Sequence, residues 1–396
     1  MRISGLAHAA GSYGRRLATA LALVIGLSAA GAALATAATP AAGMNGSPMA
    51  AGCRHATGPF RVSGIRVHGS GGKTFVPYGI TVPGLANRNW QASVSKDLAK
   101  IRATAASWCA NTVRLQVAQD NLIGNTGGTF APRYLTAIRR EVALAERRGL
   151  VVVLNDQTET APASVTFQKG PTPGTEKFWK DLIPAFGSAR QVIFDLFNEP
   201  RTVSSGMSQA TEWRLWHSGG TFEGNRYIGM AKLARDLRAA GSRNLFWVEG
   251  PDFAATLSGL VRQHAKLGTS NVVYAFHHPA GAHRTAAWFR DFGYLISTGV
   301  APVVDGEWTN YRPFGTPNAE CWGDARSQVP VFLRYLFSKG IGMTAYQLDA
   351  GLLVAPGGGL TTPTRIGASW TCQVASSRTS QGAGAKILGW YRKHNS

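Results

Sequence analysis

Eight short apolar runs, each rich in β-forming residues and each followed by a longer stretch of helical period, predict an α/β chain: a (β/α)8 TIM barrel with a short N-terminal β-hairpin. The runs are mostly continuous in their hydrophobicity rather than alternating, as strands of a parallel sheet covered on both faces should be. Several helical stretches run into a glycine, at Gly149, Gly241, Gly268, Gly299 and Gly340, where the left-handed backbone of a helix terminus carries no Cβ penalty. No GxGxxG follows the first run, which removes the dinucleotide-binding form of the doubly wound sheet.

In order along the chain, the hairpin comes first, with strands at 60–67 and 73–76 turning at Gly69-Ser70-Gly71-Gly72. Barrel strands are expected at 78–82, 112–117, 150–154, 192–197, 245–248, 272–276, 302–304 and 343–348. Helices are expected at 93–107, 132–148, 175–186, 226–240, 253–267, 284–297, 325–338 and 383–392. No linker divides this series, so residues 58–396 read as a single domain.

The start of the chain reads differently. Arg15 and Arg16 precede an uncharged run over 17–38 with Ala-x-Ala options, the order of a secretory signal peptide over 1–38. The run is long enough to span a membrane, so an uncleaved anchor stays open; its Ala, Gly, Ser and Thr content favours cleavage and no stable membrane insertion. Residues 39–57 read as a flexible tether. A secreted, extracellular chain, free or associated with the cell surface, is expected. With 44% hydrophobic and 16% charged residues in 396, a disordered chain, a collagen-like fibre and a polytopic membrane protein are excluded. The balance of 41 basic against 21 acidic residues is +20, and without Arg2, Arg15 and Arg16 it is +17. An anionic cell-wall polymer would suit that surplus, although an Arg-rich solvated surface is its plainer explanation. No nucleic-acid partner is expected, and the protein is expected to be a monomer.

Outside the cytoplasm the four cysteines should pair, with three connectivities open. Barrel geometry selects among them. Cys53 and Cys109 precede strands and belong to the bottom face, whereas Cys321 and Cys372 follow strands and belong to neighbouring loops at the top. Cys53–Cys109 and Cys321–Cys372 are therefore expected. No CxxC, HExxH or Cys/His cluster has metal spacing, so neither metal nor cofactor is expected.

In a TIM barrel the chemistry sits at the C-terminal ends of the strands. Those ends carry Arg114, Asn155 with Asp156, Asn198 with Glu199, Glu249, His277, Glu307 with Trp308, and Asp349. Glu199 and Glu307 close the fourth and seventh strands, which face each other across the mouth. Two converging carboxylates are what glycosidic cleavage requires: one protonates the leaving oxygen, the other attacks or stabilises the anomeric carbon.

Phe197-Asn198-Glu199-Pro200 and Asp305-Gly306-Glu307-Trp308, with Arg114 in Thr112-Val113-Arg114-Leu115 and His277 in Tyr274-Ala275-Phe276-His277, resemble glycoside hydrolase family 5. The likeness runs from about Phe75 to Tyr391. It implies a retaining, cellulase-like or β-glucanase-like hydrolase of polysaccharide or oligosaccharide. It also implies Glu199 as acid/base, Glu307 as nucleophile, Asn198 on the sugar 2-hydroxyl, and Arg114 beside the nucleophile. A neighbouring guanidinium favours an ionised Glu307, while the acid must carry its proton at working pH.

Three positions depart from the family pattern. Gln157 stands where a histidine is usual, Pro279 where a tyrosine contacts the nucleophile, and Tyr346 where a tryptophan floors the first subsite. His277, Trp308 and Tyr346 are expected to touch substrate, and Trp213, Trp216 and Trp322 are further candidates for stacking on sugar. Glu249 and Asp349 read equally as supports for the site or as surface charges. Two other classes stay open: a catalytically impaired carbohydrate-binding barrel, suggested by the departures, and a basic cell-wall polyanion binder, suggested by the charge.

Overall fold

The computed structural model describes residues 52–124, 130–158, 168–202, 206–277, 285–309, 325–367 and 382–396. The expected leader, most of the tether and Cys321, Trp322, Cys372 and Pro279 lie outside them. Among the described residues, no helix is long and apolar enough to cross a membrane.

The chain opens with β1 (Arg61–Ser63) and β2 (Arg66–His68), an antiparallel pair. There follow β3 (Tyr78–Val82), α1 (Trp90–Ala106), β4 (Thr112–Val117), α2 (Gln119–Ile123), α3 (Pro132–Arg147), β5 (Val151–Asp156), α4 (Pro173–Phe186) and β6 (Val192–Asp195). Next come α5 (Gln209–Ser218), a small hairpin of β7 (Gly220–Phe222) and β8 (Asn225–Tyr227), α6 (Met230–Ala239) and β9 (Phe246–Glu249). The series closes with α7 (Gly259–Arg262), β10 (Val272–Phe276), α8 (Thr285–Trp288), α9 (Tyr294–Ser297), β11 (Val303–Trp308), α10 (Ala325–Lys339), β12 (Gly342–Ala345) and α11 (Gly384–His394). Strands β3, β4, β5, β6, β9, β10, β11 and β12 pair in parallel, and β12 returns to β3. The expected TIM barrel is closed.

Strand periodicity sorts its side chains. Val151 and Val153 of β5 point into the barrel, while Val152 and Leu154 point out to the helices. The lower lumen holds Val151, Val153, Ile193, Trp247, Val273 and Val304, and Phe60, Val67 and Phe75 close it from below. The opening hairpin is thus a stopper, with the Phe60 and Phe75 ring centroids 4.5 Å apart. Outside the barrel, α3 shows why the helices hold: Pro132 starts it, and Tyr134, Leu135, Ile138, Val142 and Ala145 make one buried stripe.

The expected turn at Gly69–Gly72 is present: His68 bridges Thr74 antiparallel across it, and Phe75 N–H donates to Val67 O at 2.8 Å. The sequence missed a second, two-residue turn before it, where Ser63 pairs with Arg66 across Gly64 and Ile65, Gly64 having φ +58°. Together the two turns put Val67 beside Phe60 and Phe75 in the stopper. The helix expected over 253–267 is reduced to α7. Asp252, Phe253 and Ala254 have φ of 55°, 58° and 56°, and backbone bonds tie this turn to Pro200 and His277 instead. Gly268 accordingly ends no helix. The helix expected over 284–297 widens into a π-turn at Phe289–Gly293 between α8 and α9. Arg226 and Tyr227, expected to open a helix over 226–240, belong instead to the β7–β8 hairpin, and α6 starts at Met230 after Gly229 with φ +74°.

Within the expected tether, residues from Cys53 on are fastened to the barrel base. Cys53 and Cys109 form a disulfide across 56 residues, and Arg54 N–H donates to Asn395 O at 2.7 Å. Gln191 Nε2 donates to Ala56 O at 2.9 Å.

One feature of the helical layer predicts a pH-dependent stability. Asp97 of α1 and Glu141 of α3 are 1% and 0% exposed. Burial raises Asp97 to about 7 and, with the Asp97 charge, raises Glu141 from 4.5 to about 9. A carboxyl raised on folding contributes its full stability below the unfolded value and loses it as pH climbs through the folded one. Glu141→Gln keeps the shape of the neutral acid. The variant should melt with wild type near pH ~4 and several degrees above it near pH ~9. Equal melting temperatures at both pH values would show that Glu141 ionises freely.

Candidate active site

The site is built on inward-facing positions at the tops of the strands. Alternation from Val153 places Asn155 in the lumen, and from Ile193 it places Asp195. Trp247 leads in the same way to Glu249, and Ala275 to His277. On β4, Arg114 and Gln116 face inward, opposite in sense to Val113 and Leu115.

Glu307 is the exception. Val304 faces the lumen, and so does Gly306, where an added Cβ would lie 3.1 Å from His277 Nε2. Strict alternation would send Glu307 outward. The β11–β12 register shifts between Asp305 and Trp308, and this irregularity turns Glu307 into the lumen beside Gly306. The Thr344 hydroxyl donates to Gly306 O and fixes the distorted strand.

Arg114 is the hub. Its side chain is fully buried, with Nε donating to Asp195 Oδ2 at 2.9 Å, Nη2 to Glu249 Oε1 at 2.9 Å and Asn198 Oδ1 at 2.5 Å, and Nη1 to Glu307 Oε2 at 2.6 Å. Gln116 Nε2 donates to the same Glu307 oxygen at 2.8 Å and also to Gln157 Oε1. A carboxylate only accepts, so the amide nitrogen of Gln116 must be the end that faces it. Both donors hold Oε2, which leaves Oε1 as the oxygen free to attack.

On the other side, Glu199 has φ +46°, a left-handed conformation rare outside glycine. Its N–H donates to Glu249 Oε2 at 2.6 Å, which holds the strained residue in place. His277 Nδ1 lies 3.0 Å from Glu199 Oε1 and its Nε2 lies 3.1 Å from Glu249 Oε1. Trp216 Nε1 donates to the Glu249 carbonyl at 2.7 Å. Arg114, Asp195 and Glu249 are wholly buried and His277 nearly so, whereas the Glu199 and Glu307 side chains are 24% and 18% exposed. Only these two carboxyls of the cluster open on the mouth. A carboxylate oxygen of each, with a His277 nitrogen, lie within 4.8 Å of one another.

A model of the cellulase family (glycosyl hydrolase family 5) matches residues 70–351. The chain belongs to glycosyl hydrolase family 5. The matched span includes all eight barrel strands. The fold is similar to that of a β-glucanase from Saccharophagus degradans in complex with cellotetraose, at 18% identity and TM-score 0.61 over 87% of this chain and 95% of that one. It is also similar to a β-mannanase from Streptomyces thermolilacinus with mannohexaose, at 20% identity and TM-score 0.52 over 74% and 85%. No curated protein matches the chain. Family 5 members are glycoside hydrolases, generally retaining.

Of the residues singled out by sequence, this family 5 barrel brings together Glu199, Glu307, Arg114, Asn198, His277 and Glu249. Tyr346 follows β12 at the same mouth; burial and then the Glu307, Asp349 and Glu199 charges raise its phenol. Asp349 instead pairs with Lys100 at 2.6 Å, away from the cluster. Trp308 is no sugar platform: it is 0% exposed and stacks outward on Phe332 of α10. Trp213 and Trp216 are likewise buried in α5, packed edge to face at 5.1 Å. A tryptophan fills a core or a subsite with the same side chain, so composition could not separate the two. Sequence reasoning passed over Gln116 and Asp195, although both sit at even spacing from assigned inward positions.

The cluster holds four carboxyls against two cations. Burial, then Glu249, raises Asp195 well above the carboxylate range despite Arg114. Burial opposes a charge on His277, yet Glu249 and Glu199 overcome it and hold the imidazole well above its usual value. Burial also raises Glu307, against the pull of Arg114 and His277. The guanidinium expected to dominate there is divided among three carboxylates, so desolvation wins. Glu199, His277 and Glu307 have the spacing of a metal triad, but an imidazolium offers no lone pair.

Excess EDTA should therefore leave the hydrolytic rate unchanged; a loss restored by a divalent ion would reassign the trio. Gln116→Leu removes a charge-assisted donor from Glu307 and should lower kcat about tenfold with little change in KM. Its loss disfavours the ionised carboxyl, so the acidic limb of the pH profile should move to higher pH. An unshifted limb would confine Gln116 to packing.

Proposed function

We propose that the protein is a secreted retaining β-glycosidase that hydrolyses β-linked polysaccharide or oligosaccharide of the glucan or mannan type. The reading rests on one observation: the two exposed carboxyls of an otherwise buried cluster converge, an oxygen of each lying within 4.8 Å of the other's. Close convergence suits a retaining pair, whose carboxyl groups stand about 5–5.5 Å apart, better than an inverting pair, held at about 6.5–9.5 Å to admit a water. The cellotetraose and mannohexaose bound by the two similar structures support a β-1,4-like glycone, and the N-terminal segment of Arg15, Arg16 and the apolar run supports export.

In the first step Glu307 Oε1 attacks the anomeric carbon while Glu199 gives its proton to the departing glycosidic oxygen. The C–O bond breaks and a glycosyl ester forms on Glu307. In the second, the Glu199 carboxylate takes a proton from water, whose oxygen displaces the ester with net retention. Arg114 and Gln116 hold Oε2 through both steps, and His277 orients Glu199 from 3.0 Å. Replacement of the family's tyrosine by Pro279 does not leave the nucleophile with a single donor, because Gln116 supplies the second. This favours an active enzyme over a disarmed sugar-binding barrel.

Two variants separate the roles. Glu307→Gln should be nearly inactive on every substrate. Glu199→Ala should lose on the order of 10²–10⁴ on polysaccharide, yet still form the glycosyl ester from an aryl glycoside with a good leaving group and then stall. Azide needs no base, so it should restore turnover and give a glycosyl azide of retained configuration. A glycosyl azide of retained configuration from Glu307→Ala, or of inverted configuration from Glu199→Ala, would swap the two roles, and wild type inert across a panel of activated glycosides would sink the reading.

A further inference from the structure

The pole opposite the catalytic mouth carries a second cleft, of about 170 Å³, between the start of β1, the turn before β6 and the turn before β9. Its floor is apolar and buried: Phe60, Val192 and Leu245. Its rim carries Arg61, Arg190 and Arg243, each from a different one of those segments. No acidic residue lines it. Among the described residues, none of the three arginines forms an ion pair, and the Arg243 side chain makes no hydrogen bond. Arg190 and Arg61 are steadied by the carbonyls of Gly58 and Phe60, at 2.9 and 3.2 Å, which take only part of their donor capacity.

We propose that this cleft binds a phosphate group, presented by a phosphate-bearing wall polymer, and so holds the enzyme with its catalytic mouth turned away from the anchoring chain. Three arginines carried by three separate segments suit a tetrahedral oxyanion, whereas a planar carboxylate is satisfied by one guanidinium fork. The site also answers a question that hydrolysis leaves open, since neutral glucans or mannans need no basic surplus, and +17 remains after the N-terminal segment is set aside. Arg61 is felt beyond the cleft: burial, and then the Arg61 charge, lower the neighbouring Arg238 to about 10. Arg238 donates instead to the carbonyls of Ser242, Ser270 and Asn271.

The test titrates the full protein with inorganic phosphate by calorimetry. It also measures retention on resin-bound poly(glycerol phosphate), with resin-bound polygalacturonate as the carboxylate comparison. Arg243→Glu is the first variant, because that side chain holds nothing else in place. Arg61→Ser is the second, should the first fail to fold. Wild type should bind phosphate saturably and be retained on poly(glycerol phosphate) in a salt-sensitive manner. Either substitution should weaken both about tenfold or more, with hydrolysis of soluble substrate unchanged. Phosphate binding without retention on the polymer would keep the site and assign it to free phosphate. The proposal is overturned by equal retention on polygalacturonate, by a charge-reversed variant that binds like wild type, or by no saturable binding at all.

Discussion

A guanidinium cannot stay charged in a barrel core unless carboxylates surround it, and Arg114 imposes that condition on everything at the mouth. Its side chain has no contact with solvent and touches Asp195, Glu249 and Glu307 at once. Those three carboxylates come from β6, β9 and β11, so one side chain of β4 ties together four strands. Glu249 relays the constraint through the Glu199 backbone and to His277, which contacts the Glu199 carboxyl. The two reactive carboxyls are therefore placed through a shared lattice of buried charge, which the Asp252–Ala254 turn braces at Pro200 and His277. Replacing any buried member leaves another charge without its partner, so effects within this lattice should not add.

Below the lattice the barrel is apolar. The hairpin stopper and the lower lumen surround the base of the cluster with hydrocarbon, which keeps the dielectric low and the buried contacts strong. Asn395 completes the seal. It donates to Cys109 O and Arg54 O and accepts from Asn111, which in turn receives Tyr78 N–H. The Cys53–Cys109 disulfide lies in the same patch. Rigidity at one pole and exposed carboxyls at the other are two ends of one packed column.

The barrel was legible because parallel strands buried on both faces leave continuous apolar runs, and helices between them leave a different period. Glu199, Glu307 and Arg114 were legible because strand ends in such a barrel converge. What the sequence hid was what depends on third parties. The turn at Asp252–Ala254 reads as helix until Pro200 and His277 claim its backbone groups. Trp308 reads as a platform until Phe332 covers it. Gln116 reads as a neutral filler of an apolar strand, and only the lumen shows it beside Glu307. The Arg114–Glu307 pairing was expected, but its electrostatic outcome was not, since that depends on how many carboxylates share one cation.

The register shift between Asp305 and Trp308 has an evolutionary reading. Along the other strand pairs the register runs without a shift, and their spacing is fixed by the closure of the barrel. Strand β11 delivers Glu307 through a local defect held by Thr344. The gap between the two reactive carboxyls is therefore adjustable in one strand without re-registering the others. Since that gap separates double from single displacement, the kink in β11 and the left-handed backbone at Glu199 together set the stereochemical outcome of this barrel. Gly306 is what keeps the kink affordable, because any larger residue there would press on His277.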